Sequence, residues 1–122
     1  MISKVLVVDD DPSIVVSLKF LMDQEGYEVF IAYDGETALE LAENETPDLV
    51  LLDIMLPVID GFKVCEEIRA NPSLQSTKIV FLTAKGNEED IARGLILGGD
   101  AYLTKPYSNK TIVATVRDLL AK

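Results

Sequence analysis

The apolar run KVLVV, from Lys4 to Val8, empties into three consecutive carboxylates, Asp9, Asp10 and Asp11, with Pro12 directly behind them. Like charges packed together repel, and one acid is enough to cap a helix. A further carboxylate, Asp53, follows the apolar run LVLL. Thr83 follows KIVFL, and Lys105 comes just after AYL. An acidic, all-oxygen set suits Mg2+, which keeps several waters and takes few protein ligands. A hydroxyl and an ammonium beside that ion suit a phosphoryl group, whose equatorial oxygens need several separate partners. On this reading two of the three adjacent acids hold a metal and Asp11 caps the helix that follows. Asp53 is then placed to attack phosphorus and become an acyl phosphate.

These residues act together only if the chain gathers the strand ends that carry them. Lys4–Val8, Glu28–Ala32, Leu49–Leu52, Lys78–Leu82 and Ala101–Leu103 read as strands. Leu49–Leu52 and Lys78–Leu82 have the unbroken apolar pattern of strands buried on both faces. Pro12 suits the first turn of a helix, and Ile14, Val15, Leu18, Leu21 and Met22 recur at helical spacing until Gly26 ends it. Further helices are expected over Glu36–Glu45, from about Phe62 to Ala70, over Glu88–Leu97 and over Asn109–Ala121. Strands alternating with helices imply a parallel α/β sheet covered on both faces. Ligands of such sheets bind beyond the carboxyl ends of the strands, where neighbouring crossovers go to opposite faces. Asp9, Asp10, Asp53, Thr83 and Lys105 all fall there.

The 122 residues suffice for one domain, 1–122, and 48% hydrophobic with 26% charged residues is a globular mixture. A single cysteine, Cys65, has no partner for an internal disulfide and reads as small buried filler in a reducing compartment. The amino terminus lacks the apolar stretch and cleavage site of a signal peptide, and no apolar run is long enough for a membrane span. A soluble, cytoplasmic chain is expected. With 21 acidic against 11 basic residues the net charge is −10, which argues against direct binding of nucleic acid. There is no histidine, so histidine-based acid–base chemistry and self-phosphorylation on histidine are excluded.

The set VVDD, LLDIMLPVIDG, FLTA and YLTKPY, with GYEVFIAYDGETAL between, resembles the receiver domain of bacterial two-component response regulators across essentially the whole chain. The resemblance implies a flavodoxin-like (βα)5 sheet in the order 2-1-3-4-5. It implies that Asp53 is the phosphoacceptor, Asp10 a direct Mg2+ ligand, Asp9 a ligand through water, and the backbone carbonyl of Met55 another ligand. Lys105 would hold the phosphoryl oxygen, and the Lys105–Pro106 bond is often cis in the family. Thr83 and Tyr102 would form the switch, the hydroxyl moving toward the phosphoryl group and the ring turning inward behind it. Met55 and Lys85 flank the phosphoryl site and should affect its hydrolysis.

The implied partners are a sensor histidine kinase or phosphotransfer protein, and downstream either a protein target or a fused output domain. No catalytic or DNA-binding region follows Lys122, so the expected output is a changed protein-binding face on the last two helices. No catalysis is expected beyond the chain's own phosphorylation and dephosphorylation. A weak or phosphorylation-dependent homodimer fits the family, although Thr115 stands where many DNA-binding relatives carry an arginine. The acid pair usual before the switch aromatic is reduced to Asp100-Ala101. The glycines of GLILGG suggest that the helix containing Ile96 shifts easily.

Each residue also has a plainer reading. Asp53 alone is an ordinary turn acid, Lys105 a solvated lysine, Thr83 a turn hydroxyl and Tyr102 half-buried packing. Two other functions fit parts of the pattern. A haloacid-dehalogenase-type phosphatase would use Asp9 as nucleophile with Asp11 two residues on, but Ser13 stands where threonine or valine is usual. A docking module that is never phosphorylated would have no use for the full acid, threonine and lysine set.

Overall fold

The computed structural model of the chain describes residues 2–84 and 86–122. Its elements in chain order are β1 (Lys4–Val8), α1 (Pro12–Gln24), β2 (Glu28–Ala32), α2 (Gly35–Glu45) and β3 (Leu49–Leu52), followed by α3 (Gly61–Ala70) and β4 (Lys78–Thr83). Then come α4 (Glu88–Ile96), β5 (Ala101–Thr104) and α5 (Asn109–Leu120). The strands form one parallel sheet in the order β2-β1-β3-β4-β5. The chain therefore winds one way from β1 to β2 and the other way from β3 onward, which opens a crevice between the ends of β1 and β3.

Alternation along the strands divides the core between the two faces. Leu6, Val8, Val50, Leu52, Ile79 and Phe81 pack with Ala38 and Ala42 of α2 and Phe62, Val64, Cys65 and Ile68 of α3. Val5, Val7, Leu49, Leu51, Val80 and Leu82 pack with Val15, Leu18 and Met22 of α1 and Ile112, Val116 and Leu119 of α5. Both faces of the central strands are thus sealed, as their unbroken apolar pattern requires.

Helix starts are set by short polar side chains accepting backbone N–H groups. Asp11 Oδ1 accepts from Ser13 N at 2.9 Å, Asp34 Oδ1 from Thr37 N at 2.7 Å, Asp60 Oδ1 from Lys63 N at 2.9 Å and Asn87 Oδ1 from Asp90 N at 2.8 Å. Gly26, at φ +87°, closes α1 as the sequence suggests.

Several boundaries differ from expectation. β4 runs on to Thr83, which is thus the last residue of the strand rather than the first beyond it, and β5 runs on to Thr104. A 3-10 turn at Pro72–Leu74, capped by Asn71, precedes β4. Of the glycines of GLILGG, only Gly94 lies inside α4. A Cβ on Gly94 would stand 3.0 Å from the Phe81 ring, and one on Gly98 would stand 2.8 Å from the Arg69 side chain. These glycines permit close packing.

Candidate functional site

Val8 and Leu52 are register partners across β1 and β3, and Asp53 N donates to the Val8 carbonyl at 3.0 Å. Asp9 and Asp53 therefore leave the sheet side by side at the crevice. Both are buried, at 2% and 4% exposure, whereas Asp10 is exposed. One carboxylate oxygen from each of Asp9, Asp10 and Asp53 lies within 4.8 Å of the other two. Lys105 reaches in from the end of β5, its ammonium donating to Asp9 Oδ2 at 3.0 Å and to Asp53 Oδ2 at 3.4 Å. The Lys105 backbone N–H donates to the Thr83 carbonyl at 2.8 Å, and the Lys105–Pro106 peptide is cis.

The remaining carboxylate oxygens face backbone donors. Asp11 N donates to Asp9 Oδ1 at 2.9 Å, and Met55 N donates to Asp53 Oδ1 at 3.2 Å. Burial, and then the charge of Asp9, push the Asp53 carboxyl above its ordinary pKa, against the pull of Lys105 and of the Met55 N–H. Burial opposes the charge on Lys105, but the hydrogen bond to Asp9 and the charges of Asp53 and Asp9 outweigh it and hold the ammonium above the usual lysine value. Tyr107 is half-buried beside this group, and burial raises its phenol.

The donor set fits a hard divalent cation. It is all oxygen and acidic, and the Lys105 ammonium is one positive charge against three carboxylates. Asp9 and Asp53 each already have a donor on both oxygens, so Asp10 offers the freer lone pairs. Asp10 also lines a cavity of about 400 Å³ with Met55, Asp60, Phe62 and Arg93.

Of the residues singled out in the sequence, Asp9, Asp10, Asp53 and Lys105 come together directly, and Thr83 ends the strand beside Lys105. Met55 contributes its backbone N–H to Asp53, and the residue is 57% exposed. Tyr102 sits half-buried on β5, its ring 5.8 Å from that of Phe81. Lys85 lies outside the described residues. The Asp11 side chain serves the α1 cap, while its backbone N–H serves Asp9.

The sequence reading overlooked Gly61. A Cβ there would collide with the Asp53 carbonyl oxygen and stand 2.7 Å from Ile54 Cα, so only glycine lets α3 start against the back of the acidic loop. The DG pair in LPVIDG is the signal that was present. Among the described residues no helix is long and apolar enough to cross a membrane.

A doubly wound five-stranded parallel sheet, with carboxylates and a lysine gathered at its switch point, defines a flavodoxin-like α/β domain. The chain belongs to the response regulator receiver domain family, which matches residues 5–117. It is 46% identical over 122 residues to the alkaline phosphatase synthesis transcriptional regulatory protein PhoP of Bacillus subtilis (strain 168). That match takes in all of this chain and 50% of PhoP, so the chain spans about half the length of this relative. A CheY-like response regulator receiver domain protein from Methanospirillum hungatei superposes with a TM-score of 0.93 at 31% identity, covering 99% of this chain and 95% of that one. The BeF3-activated receiver domain of DrrB superposes at 0.91 with 30% identity over the full length of both. The chain is a receiver domain of two-component signalling.

Proposed function

We propose that the chain is a phosphorylation-activated switch in which Asp53 accepts a phosphoryl group in a Mg2+-dependent reaction. The observation that carries this reading is the pairing of a buried Asp53 carboxylate with the Lys105 ammonium at 3.4 Å, next to two further acids. Asp10, Asp53, the Met55 carbonyl and, through water, Asp9 would hold Mg2+, which would supply charge neutralisation for the phosphoryl oxygens.

The chain's own residues do the rest. An Asp53 oxygen forms the new O–P bond, while the bond from phosphorus to the donor breaks and the donor keeps the electron pair. The donor is the phosphohistidine of a sensor kinase or phosphotransfer protein, or a small acyl phosphate. Lys105 turns from the carboxylates toward the incoming phosphoryl oxygens and offsets the charge that develops there. Burial favours the reaction, since it leaves Asp53 poorly solvated and therefore nucleophilic.

The acyl phosphate carries about two negative charges at pH 7 where the Asp53 carboxylate carried one. Thr83 donates its hydroxyl toward it in this reading, and Tyr102 follows inward. The helix α4 is then biased toward a second position. The face presented by α4 and α5 changes, and a downstream protein or a fused output domain reads the change. PhoP, a transcriptional regulator by its name, carries as much chain again as the part matched here, which favours a fused output. A weak or phosphorylation-dependent homodimer through the same face fits the 83% exposure of Ile96. The protein acts catalytically only on itself.

The phosphatase reading loses its second acid, because Asp11 is committed to Ser13 N in the α1 cap. Incubation with acetyl phosphate and Mg2+ tests the proposal: one hydroxylamine-sensitive phosphoryl group per chain is expected, and none without Mg2+. A hydroxylamine-resistant label would contradict it.

A further inference from the structure

Helix α4 is held to the body of the protein by very little. Its single buried residue is Gly94, and Leu95 and Ile96 are 46% and 83% exposed. Such a helix contributes almost no apolar burial of its own, so its position depends on a few specific contacts.

Those contacts fall within its carboxyl half and just beyond it. Past its carboxyl end, Arg69 of α3 donates from Nε to the Gly98 carbonyl at 2.9 Å, from one terminal nitrogen to the Thr77 carbonyl at 2.8 Å and from the other to Asp100 Oδ2 at 2.9 Å. Asp100 Oδ2 also accepts from Ile79 N at 2.8 Å. That end is pinned. Along the helix itself, Gly94 lies flat on Phe81 and Tyr102, and the Arg93 guanidinium stacks on the Phe62 ring of α3 at 4.3 Å from its centroid. Phe62 stands 5.7 Å from Phe81, and Phe81 5.8 Å from Tyr102. A continuous row of rings therefore runs from Arg93, at the cavity beside Asp10, to Tyr102.

We propose that the stacking of Arg93 on Phe62 is a latch that holds α4 in its resting position and opens when Asp53 is phosphorylated. The inference rests on the reading of the chain as a phosphorylation switch. With the Gly98 end pinned by Arg69, α4 can only pivot about that end, and the contact that must break is the stack nearest the acidic site. An inward turn of Tyr102 presses on Phe81 and Gly94, the surfaces that seat the same helix. The cavity lined by Arg93, Phe62, Met55 and Asp10 gives the displaced side chains room. An exposed guanidinium stacked on the outer side of the Phe62 ring is the right strength for a latch, stabilising one position without locking it.

The test is a titration with beryllofluoride and Mg2+, followed by amide NMR, on wild type, Arg93→Ala, Arg93→Lys, Phe62→Leu and the Ala/Leu double variant. Thermal unfolding of each confirms folding. Removing the latch raises the population competent to bind, so Arg93→Ala and Phe62→Leu are expected to half-saturate at beryllofluoride concentrations about two- to fivefold lower than wild type. The double variant should gain no more than either single one, because both remove the same contact. Arg93→Lys, which keeps a cation over the ring, should stay near wild type. Saturation of the wild type with an unchanged or weaker response in Arg93→Ala would overturn the latch and leave the switch intact. No response in the wild type would overturn the switch reading and the latch with it. Should Phe62→Leu unfold, the Arg93 pair decides alone.

Discussion

The ammonium of Lys105 stands 3.4 Å from Asp53 Oδ2 and at the same time 3.0 Å from Asp9, so one cation spans two buried carboxylates on neighbouring strands. A buried like-charge pair with one counter-ion is under-neutralised, and that imbalance has measurable consequences for stability as well as for chemistry.

The first consequence concerns Asp53 itself. Its pKa is raised in the folded protein by burial and then by Asp9, so folding is favoured when it is protonated and that contribution is lost as the pH climbs through the folded pKa. At neutral pH the ionised carboxylate therefore destabilises the fold. Asp53→Asn in chelator is expected to melt several degrees higher than wild type at pH 7, with the gap narrowing toward acid pH. A lower melting temperature for Asp53→Asn would contradict this electrostatic account.

Lys105 has the opposite role. Lys105→Met leaves Asp9 and Asp53 together without their shared counter-ion, and should destabilise the metal-free protein by about 2–3 kcal/mol, short of a fully buried pair because the lysine side chain is 21% exposed. Added Mg2+ should recover much of that loss, since another cation then answers the same carboxylates. Denaturant melts with and without Mg2+ measure both effects.

The run of three acids divides its labour. Asp11→Ala removes the α1 cap and should lower stability by about 1 kcal/mol while leaving Mg2+ affinity within about twofold. Asp10→Asn should leave stability nearly unchanged and weaken Mg2+ binding by about tenfold or more. Isothermal titration of the two variants separates the roles, and a large loss of Mg2+ affinity in Asp11→Ala would undo the assignment.

Gly94 tests how α4 is seated. Alanine is the better helix former by about 1 kcal/mol, but its Cβ would meet the Phe81 ring at 3.0 Å and the Tyr102 ring at 3.2 Å. Crowding of this kind typically costs about 1–3 kcal/mol, so Gly94→Ala should be destabilised overall. A stabilised variant in urea unfolding would show that α4 already moves freely.

The strands were legible because the central apolar runs are unbroken and end in residues with no place in a core, while their order came from the resemblance to receiver domains. Asp9 and Asp53 announce themselves in this way, and the register of β1 with β3 turns two strand ends into one site. What escaped the sequence was contact between distant segments. Nothing local in EEDIARGLI says that Arg93 lies over Phe62, 31 positions earlier, since that depends on how α3 and α4 sit across β4. The contacts of the glycines in GLILGG were hidden for the same reason, since Gly94 and Gly99 meet Phe81 and Gly98 meets Arg69. The turn at Pro72–Leu74 is too short for any periodicity to show, although Asn71 before Pro72 marks its cap.

The most direct test of the central claim is to locate the phosphoryl group. The protein is labelled with acetyl phosphate and Mg2+, reduced with borohydride, which converts an aspartyl phosphate to homoserine, and mapped by peptide mass spectrometry. Homoserine at position 53, absent without Mg2+ and absent from Asp53→Asn, is the predicted result. Homoserine at position 9, or labelling that persists in Asp53→Asn, would place the nucleophile elsewhere and contradict the account.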